Sequence, residues 1–149
     1  MAETLGSLCD KLTIVKLKQF HTDDADKLGS LSVQEQQLQS EIDNFVLSAS
    51  KGIIPSERLI FSANKIYKQA GNAIADVVGN LGTTISQLAD VNCRLWHQQE
   101  YVYDFENVPP EKKNEVIKQL ALLNLERNKC IDHIDRQFQA LVKRSNPDQ

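Results

Sequence analysis

Nowhere in this chain of 149 residues do apolar side chains run on for the roughly 18 positions that a membrane span requires. The opening "MAETLGSLCDKL" also lacks the basic start and the long apolar stretch of a signal peptide, so a cytoplasmic location is expected. Basic excess is missing too. Lys and Arg number 17 against 20 Asp and Glu, a formal charge of −3, which leaves no electrostatic footprint for a general nucleic-acid binder. The three cysteines, Cys9, Cys93 and Cys130, are odd in number and show neither CxxC nor Cys/His ligand spacing. They fit reduced thiols, and no catalytic pairing supports a nucleophile. Phosphate loops, nucleophile elbows and strand-like alternation of β-branched residues are absent as well.

What is present is helical periodicity. Leu5, Leu8, Leu12 and Val15 form one stripe, on a helix ending near "HTDDAD". Leu31, Leu38, Ile42, Phe45 and Ala49 form a second, stopped by "KGIIP". Ser56 is placed to cap a third helix carrying Leu59, Ala63, Ile66, Ala70, Ile74 and Val77. Gly79 and Gly82 predict a break near "GNLGTT", with Thr83 or Thr84 capping the helix that follows. "ENVPPEKK" is the clearest turn, because Pro109 or Pro110 suits a first helical turn. The last helix carries Val116, Leu120, Leu123, Ile131, Ile134, Phe138 and Leu141. The expectation is one all-α domain over 1–149, with hairpin one at about 3–50, a helical crossover at 56–80 and hairpin two at about 83–144. The two long antiparallel hairpins would bury their stripes against each other as a four-helix bundle.

A weak internal repeat accompanies this pattern. "LGSLCDKLTIVKLKQFH" (5–21) aligns with "LGTTISQLADVNCRLWH" (81–97), sharing Leu, Gly, Leu, Val and His at five positions. "SEIDNF" (40–45) aligns with "DHIDRQ" (132–137), matching Ile42 to Ile134 and Asp43 to Asp135. Shared helical patterning alone could produce as much.

Four polar residues interrupt the stripes. Arg127 lies between Leu123 and Ile134, and its repeat mate Glu35 lies between Leu31 and Leu38. Asn92 lies between Leu88 and Leu95, and its mate is Lys16. Counted outward from each turn, Asn92 is level with Arg127 and Lys16 with Glu35. A lone buried guanidinium is untenable, so the expectation is one polar layer of Lys16, Glu35, Asn92 and Arg127, with Glu35 bridging the two cations. The bland alternative is that the long cationic side chains snorkel to solvent. Even a buried layer of this kind fixes helix register more often than it performs chemistry.

His97, Tyr101 and Asp104 share a helix face, and with Trp96 they could form a rim or partner surface. A metal site would need Glu-x-x-His runs on two helices, whereas the chain offers only "HQQE" and "DHID". No metal, cofactor or catalytic residue is therefore assigned.

Three runs carry a resemblance. "GSLCDKLTIVKLK" (6–18), "LADVNCRLWHQQEYVYD" (88–104) and "NLERNKCIDHID" (124–135) resemble a family of small bacterial helical proteins of unknown function. That family has Gly-x-Leu-x-Asp-Lys-x-Thr-Ile, Asn-x-x-Leu-Trp and Asn-x-x-Arg segments. On that likeness Asp10, Lys11, Thr13, Asn92, Leu95, Trp96, Asn124 and Arg127 occupy its characteristic positions; 51–80 matches no part of it. Relatives tend to be encoded near glycosyltransferases of lipopolysaccharide or other surface polysaccharides. The resemblance thus implies an interaction or accessory protein in that setting, with a protein partner or self-association. The competing expectation is a small-ligand-binding protein or enzyme using a polar cavity between the hairpins.

Overall fold

A computed structural model describes residues 2–61 and 75–146. Among the described residues it is all-α, with four long helices and no strand. Helix α1 spans Leu5–His21, α2 Ala25–Ser50, α3 Leu81–Tyr103 and α4 Pro110–Ser145. Single 3-10 turns occupy Ser56–Arg58 and Phe105–Asn107.

Helices α1 and α2 begin at side chains that satisfy their free N–H groups. Thr4 caps α1 in a capping box: its hydroxyl accepts from Ser7 N at 3.3 Å, and Thr4 N donates to Ser7 Oγ at 2.9 Å. Asp24 caps α2, accepting from Asp26 N and Lys27 N. Pro110 is the first residue of α4, where its missing N–H costs nothing. The start of α3 differs from the expected threonine cap. Gly79 has φ +120, Asn80 is the N-cap, and the helix begins at Leu81. Thr84 is instead buried one turn in, its hydroxyl donating to the Asn80 carbonyl at 2.9 Å.

The crossover also departs from a helix over 56–80. Ser56 opens only the short 3-10 turn, and residues 75–80 are not helical. The stripe positions Ala63, Ile66, Ala70 and Ile74 lie outside the described residues. Both described ends of this segment reach the core, through Leu59 and Val77.

The contacts fix the helix directions. Residues 6 and 10 of α1 meet residues 135 and 127 of α4, so these two run antiparallel. Ser50 of α2 meets Asn146 of α4, and the Phe45 and Phe138 rings lie 6.0 Å apart, so α2 and α4 run in the same direction. Helix α1 packs against α2, α3 and α4, whereas α2 has few neighbours besides α1. This asymmetry explains the burial pattern. Helix α1 buries residues around much of its circumference, Leu5, Gly6, Leu8, Cys9, Asp10 and Val15, while 26-residue α2 buries only Leu31 and Ala49. The main core joins Leu5 and Cys9 to Leu88, Val91, Leu123, Cys130, Ile131, Ile134, Phe138 and Val142. No helix among the described residues is long and apolar enough to cross a membrane.

Candidate functional site

The first three turns of α1 carry a second stripe, Gly6, Cys9, Asp10 and Thr13, at helical spacing and made of small side chains. Small side chains let this face approach α3 and α4 closely. At Gly6 the approach is extreme: an added Cβ would overlap the Ile131 carbonyl oxygen and lie 2.9 Å from Asp135 Oδ1. Asp135, buried on α4, accepts from Gly6 N at 2.7 Å. A carboxylate thus sits against the positive end of the α1 dipole, where negative charge is stabilised.

One turn further along, Asp10 is the hub of a polar network. Arg127 donates to it twice, Nε to Oδ1 at 2.9 Å and Nη2 to Oδ2 at 2.5 Å, the bidentate geometry of a strong ion pair. Asn92 Nδ2 donates to Asp10 Oδ1 at 2.9 Å and to Thr13 Oγ1 at 2.7 Å. Thr13 in turn donates to the Asp10 carbonyl at 2.8 Å. Hydrogen bonding to Asp10 holds the Arg127 guanidinium above its ordinary pKa, against the opposing effect of burial. Three helices are therefore cross-linked at one level, with each charge matched.

The expected layer divides into two groups. Asn92 and Arg127 are level, as counted from the turn, but the carboxylate they share is Asp10 and not Glu35. Glu35 pairs with Lys16 alone, at 2.6 Å on the solvent side of hairpin one. Among the described residues it bridges no second cation, because the Arg127 guanidinium is taken by Asp10 on α1. Asp10, Thr13, Asn92 and Arg127, four of the residues carried by the motif runs, converge in this network. Lys11, from the same runs, points away and pairs with Glu3. The Asn124 side chain donates to the Leu120 carbonyl of its own helix.

The rim residues lie toward the tip of hairpin two, beginning one turn past Asn92. Trp96 stacks on His21 with ring centroids 4.5 Å apart, and the His97 ring lies 6.3 Å from His21. The repeat-related histidines thus meet at the seam between hairpins. His97, Tyr101 and Asp104 line a cleft of about 740 Å³ beside the Phe105–Asn107 turn. Asp104 accepts from Asn107 Nδ2 at 2.6 Å, which braces that turn. Val108, Pro109 and Val116 form the apolar part of the cleft, and Asn92 and Arg127 do not line it. Among the described residues no cluster of His, Cys, Asp or Glu could hold a metal ion.

The two buried thiols offer little chemistry. Burial pushes Cys9 and Cys130 up to about 11, with nearby carboxylates adding to it, so both stay protonated at neutral pH.

The sequence pattern offered Asp135 only as the repeat mate of Asp43, and the apolar stripes gave no sign of its contact with Gly6. The available signal was the small-residue stripe, which a search for apolar stripes passes over. Comparison of the chain with known protein families, with curated proteins and with solved structures finds no match.

Proposed function

We propose that this chain is a helical-bundle interaction or accessory protein that self-associates through the tip of hairpin two. The observation that carries this reading is the reach of that tip. Helix α1 ends level with Trp96, and α3 continues past it for seven residues, about 10 Å. Arg94 pairs with Glu126 across the hairpin, and continuing that register brings Ile117 level with Tyr103. Tyr101, Tyr103 and Ile117 are therefore neighbours in depth, and all three are exposed, Tyr103 at 83%. Phe20, in the last turn of α1, is 84% exposed. Large side chains gathered in this way at one end are characteristic of contact surfaces, where Tyr and Phe are enriched.

The competing reading, a ligand cavity built on the polar layer, loses support from the same geometry. The Asp10 network is internally satisfied, and the cleft rimmed by His97 and Asp104 is walled by other residues. A cytoplasmic setting in surface-polysaccharide assembly rests on the resemblance of the three motif runs and belongs to the proposal on that basis.

Size-exclusion chromatography with light scattering on the whole chain tests it. The expected result is a dimer that becomes a monomer when Tyr101, Tyr103 and Ile117 are all replaced by Ser, with the helical circular dichroism unchanged. A native chain that is monomeric at high concentration and recovers no partner from host extract overturns the reading.

A further inference from the structure

A second cleft, of about 320 Å³, lies where the α1–α2 turn meets α3. Lys18 comes from the last turn of α1, Thr22 from the turn itself, Lys27, Ser30 and Gln34 from the first turns of α2, and Trp96 from α3. Every polar group in that set can donate a hydrogen bond, and no carboxylate among the described residues lines the cleft, although the chain is acidic overall.

The lysines make the observation sharper. Lys11 and Lys16, on the same helix, are each paired, with Glu3 and Glu35. Among the described residues Lys18 and Lys27 have no ion-pair partner, yet they converge on one cleft from two helices. Both side chains are exposed, so water screens their repulsion, and an anion seated between them would be attracted by both. The acidic turn does not supply that anion. None of Asp23, Asp24 and Asp26 lines the cleft, and the Asp24 carboxylate is engaged by the backbone N–H groups of Asp26 and Lys27.

From these features we infer that the cleft is a binding site for a small phosphate monoester of sugar-phosphate size. A phosphate offers three acceptor oxygens and about two negative charges, matching two ammonium groups, two hydroxyls and an amide. The volume sits at the small end of ligand sites, enough for a compact body beside the phosphate. Trp96, held in place by its stack on His21, supplies an apolar wall for that body. This site is separate from the tip surface, and its test is independent of the oligomeric state.

Trp96 is the only tryptophan of the chain, so its fluorescence reports on the cleft directly. The whole protein is titrated with inorganic phosphate, with glucose 6-phosphate and with glucose, at constant ionic strength kept with chloride. Saturable changes are expected with the two phosphates and not with glucose. Glucose 6-phosphate should bind more tightly than phosphate alone. Lys18→Ala and Lys27→Ala should each weaken binding about tenfold, the value of one charged hydrogen bond. Lys16→Ala, on the same helix outside the cleft, should leave it unchanged. Absence of a saturable response to either phosphate overturns the inference, as does equal affinity in the Lys18 and Lys27 variants. Sedimentation with phosphatidate-containing vesicles identifies the source of the ester. Pelleting that inorganic phosphate competes away assigns a lipid headgroup, and no pelleting assigns a soluble molecule.

Discussion

Two ion pairs tie α1 to its neighbours, and they differ in almost every physical respect. Asp10 and Arg127 join residues far apart in the chain, with the Asp10 side chain 6% exposed and that of Arg127 31%. Lys16 and Glu35 join the two arms of one hairpin, 60% and 21% exposed. The first pair is bidentate and supported by Asn92; the second is a single contact in high dielectric. A charge taken out of water requires a matched partner, whereas one left in water is nearly indifferent to it. The seam between hairpins is thus specified by Asp10 and Arg127, and Lys16–Glu35 decorates a hairpin held by other contacts.

The largest expected effect comes from breaking the buried pair on one side. Arg127→Met leaves the Asp10 carboxylate buried with Asn92 as its remaining side-chain donor, and should cost about 3 kcal/mol of unfolding free energy. Asp10→Asn combined with Arg127→Met removes the stranded charge and should recover part of that loss. Urea unfolding of the two single variants and the double variant measures the coupling. A loss below about 1 kcal/mol for Arg127→Met would reduce this pair to the level of a surface contact and erase the contrast.

Gly6 and Gly82 sharpen the contrast, because the internal repeat makes them equivalents. A Cβ at Gly6 meets the backbone of Ile131, which cannot step aside, so Gly6→Ala should destabilise by about 2 kcal/mol. A Cβ at Gly82 meets nothing within 4 Å. Gly82→Ala, in the first turn of α3, should therefore stabilise by up to about 1 kcal/mol through the helix preference of alanine. Thermal and urea unfolding of the two variants should move in opposite directions. Movement in the same direction would mean that the hairpins use these glycines alike, contrary to their surroundings.

These glycines also show what the sequence could and could not reveal. Helix existence and the main stripes were legible, since Ile131, Ile134 and Phe138 recur at the three- and four-residue spacing of a helix. The level of Asn92 with Arg127 followed from counting outward from the proline turn. The carboxylate partner did not follow, because repeat logic ties Asn92 to Lys16 and Arg127 to Glu35. Under the same shift Asp10 falls on Ser86 and Thr13 on Ala89, so the polar network has no twin. A single apolar stripe per helix was the limiting assumption. Helix α1 is packed on two sides, and its second face is built of small and polar residues that carry no hydropathy signal. The family likeness named Asp10 and Thr13 without saying what they touch. The non-helical start of the crossover was missed for a related reason: the apolar spacing from Leu59 onward is helical, but a 3-10 turn at Ser56–Arg58 satisfies the same burial of Leu59.

The smallest effect should come from the exposed pair. Lys16→Met or Glu35→Gln removes one contact between groups that water still solvates, and the long lysine regains rotamer freedom as it is released. Each change should cost between zero and about 1 kcal/mol, and their double-mutant coupling should fall within about 0.2–1 kcal/mol. Salt separates this pair from the buried one more sharply than magnitude does. At 1 M ionic strength the Debye length is about 3 Å, so the Lys16–Glu35 coupling should nearly vanish while that of Asp10 with Arg127 persists. Unfolding of both cycles at low and high salt makes the measurement. A Lys16–Glu35 coupling that survives high salt would show that α2 shields this pair from solvent and that hairpin one has its own polar lock.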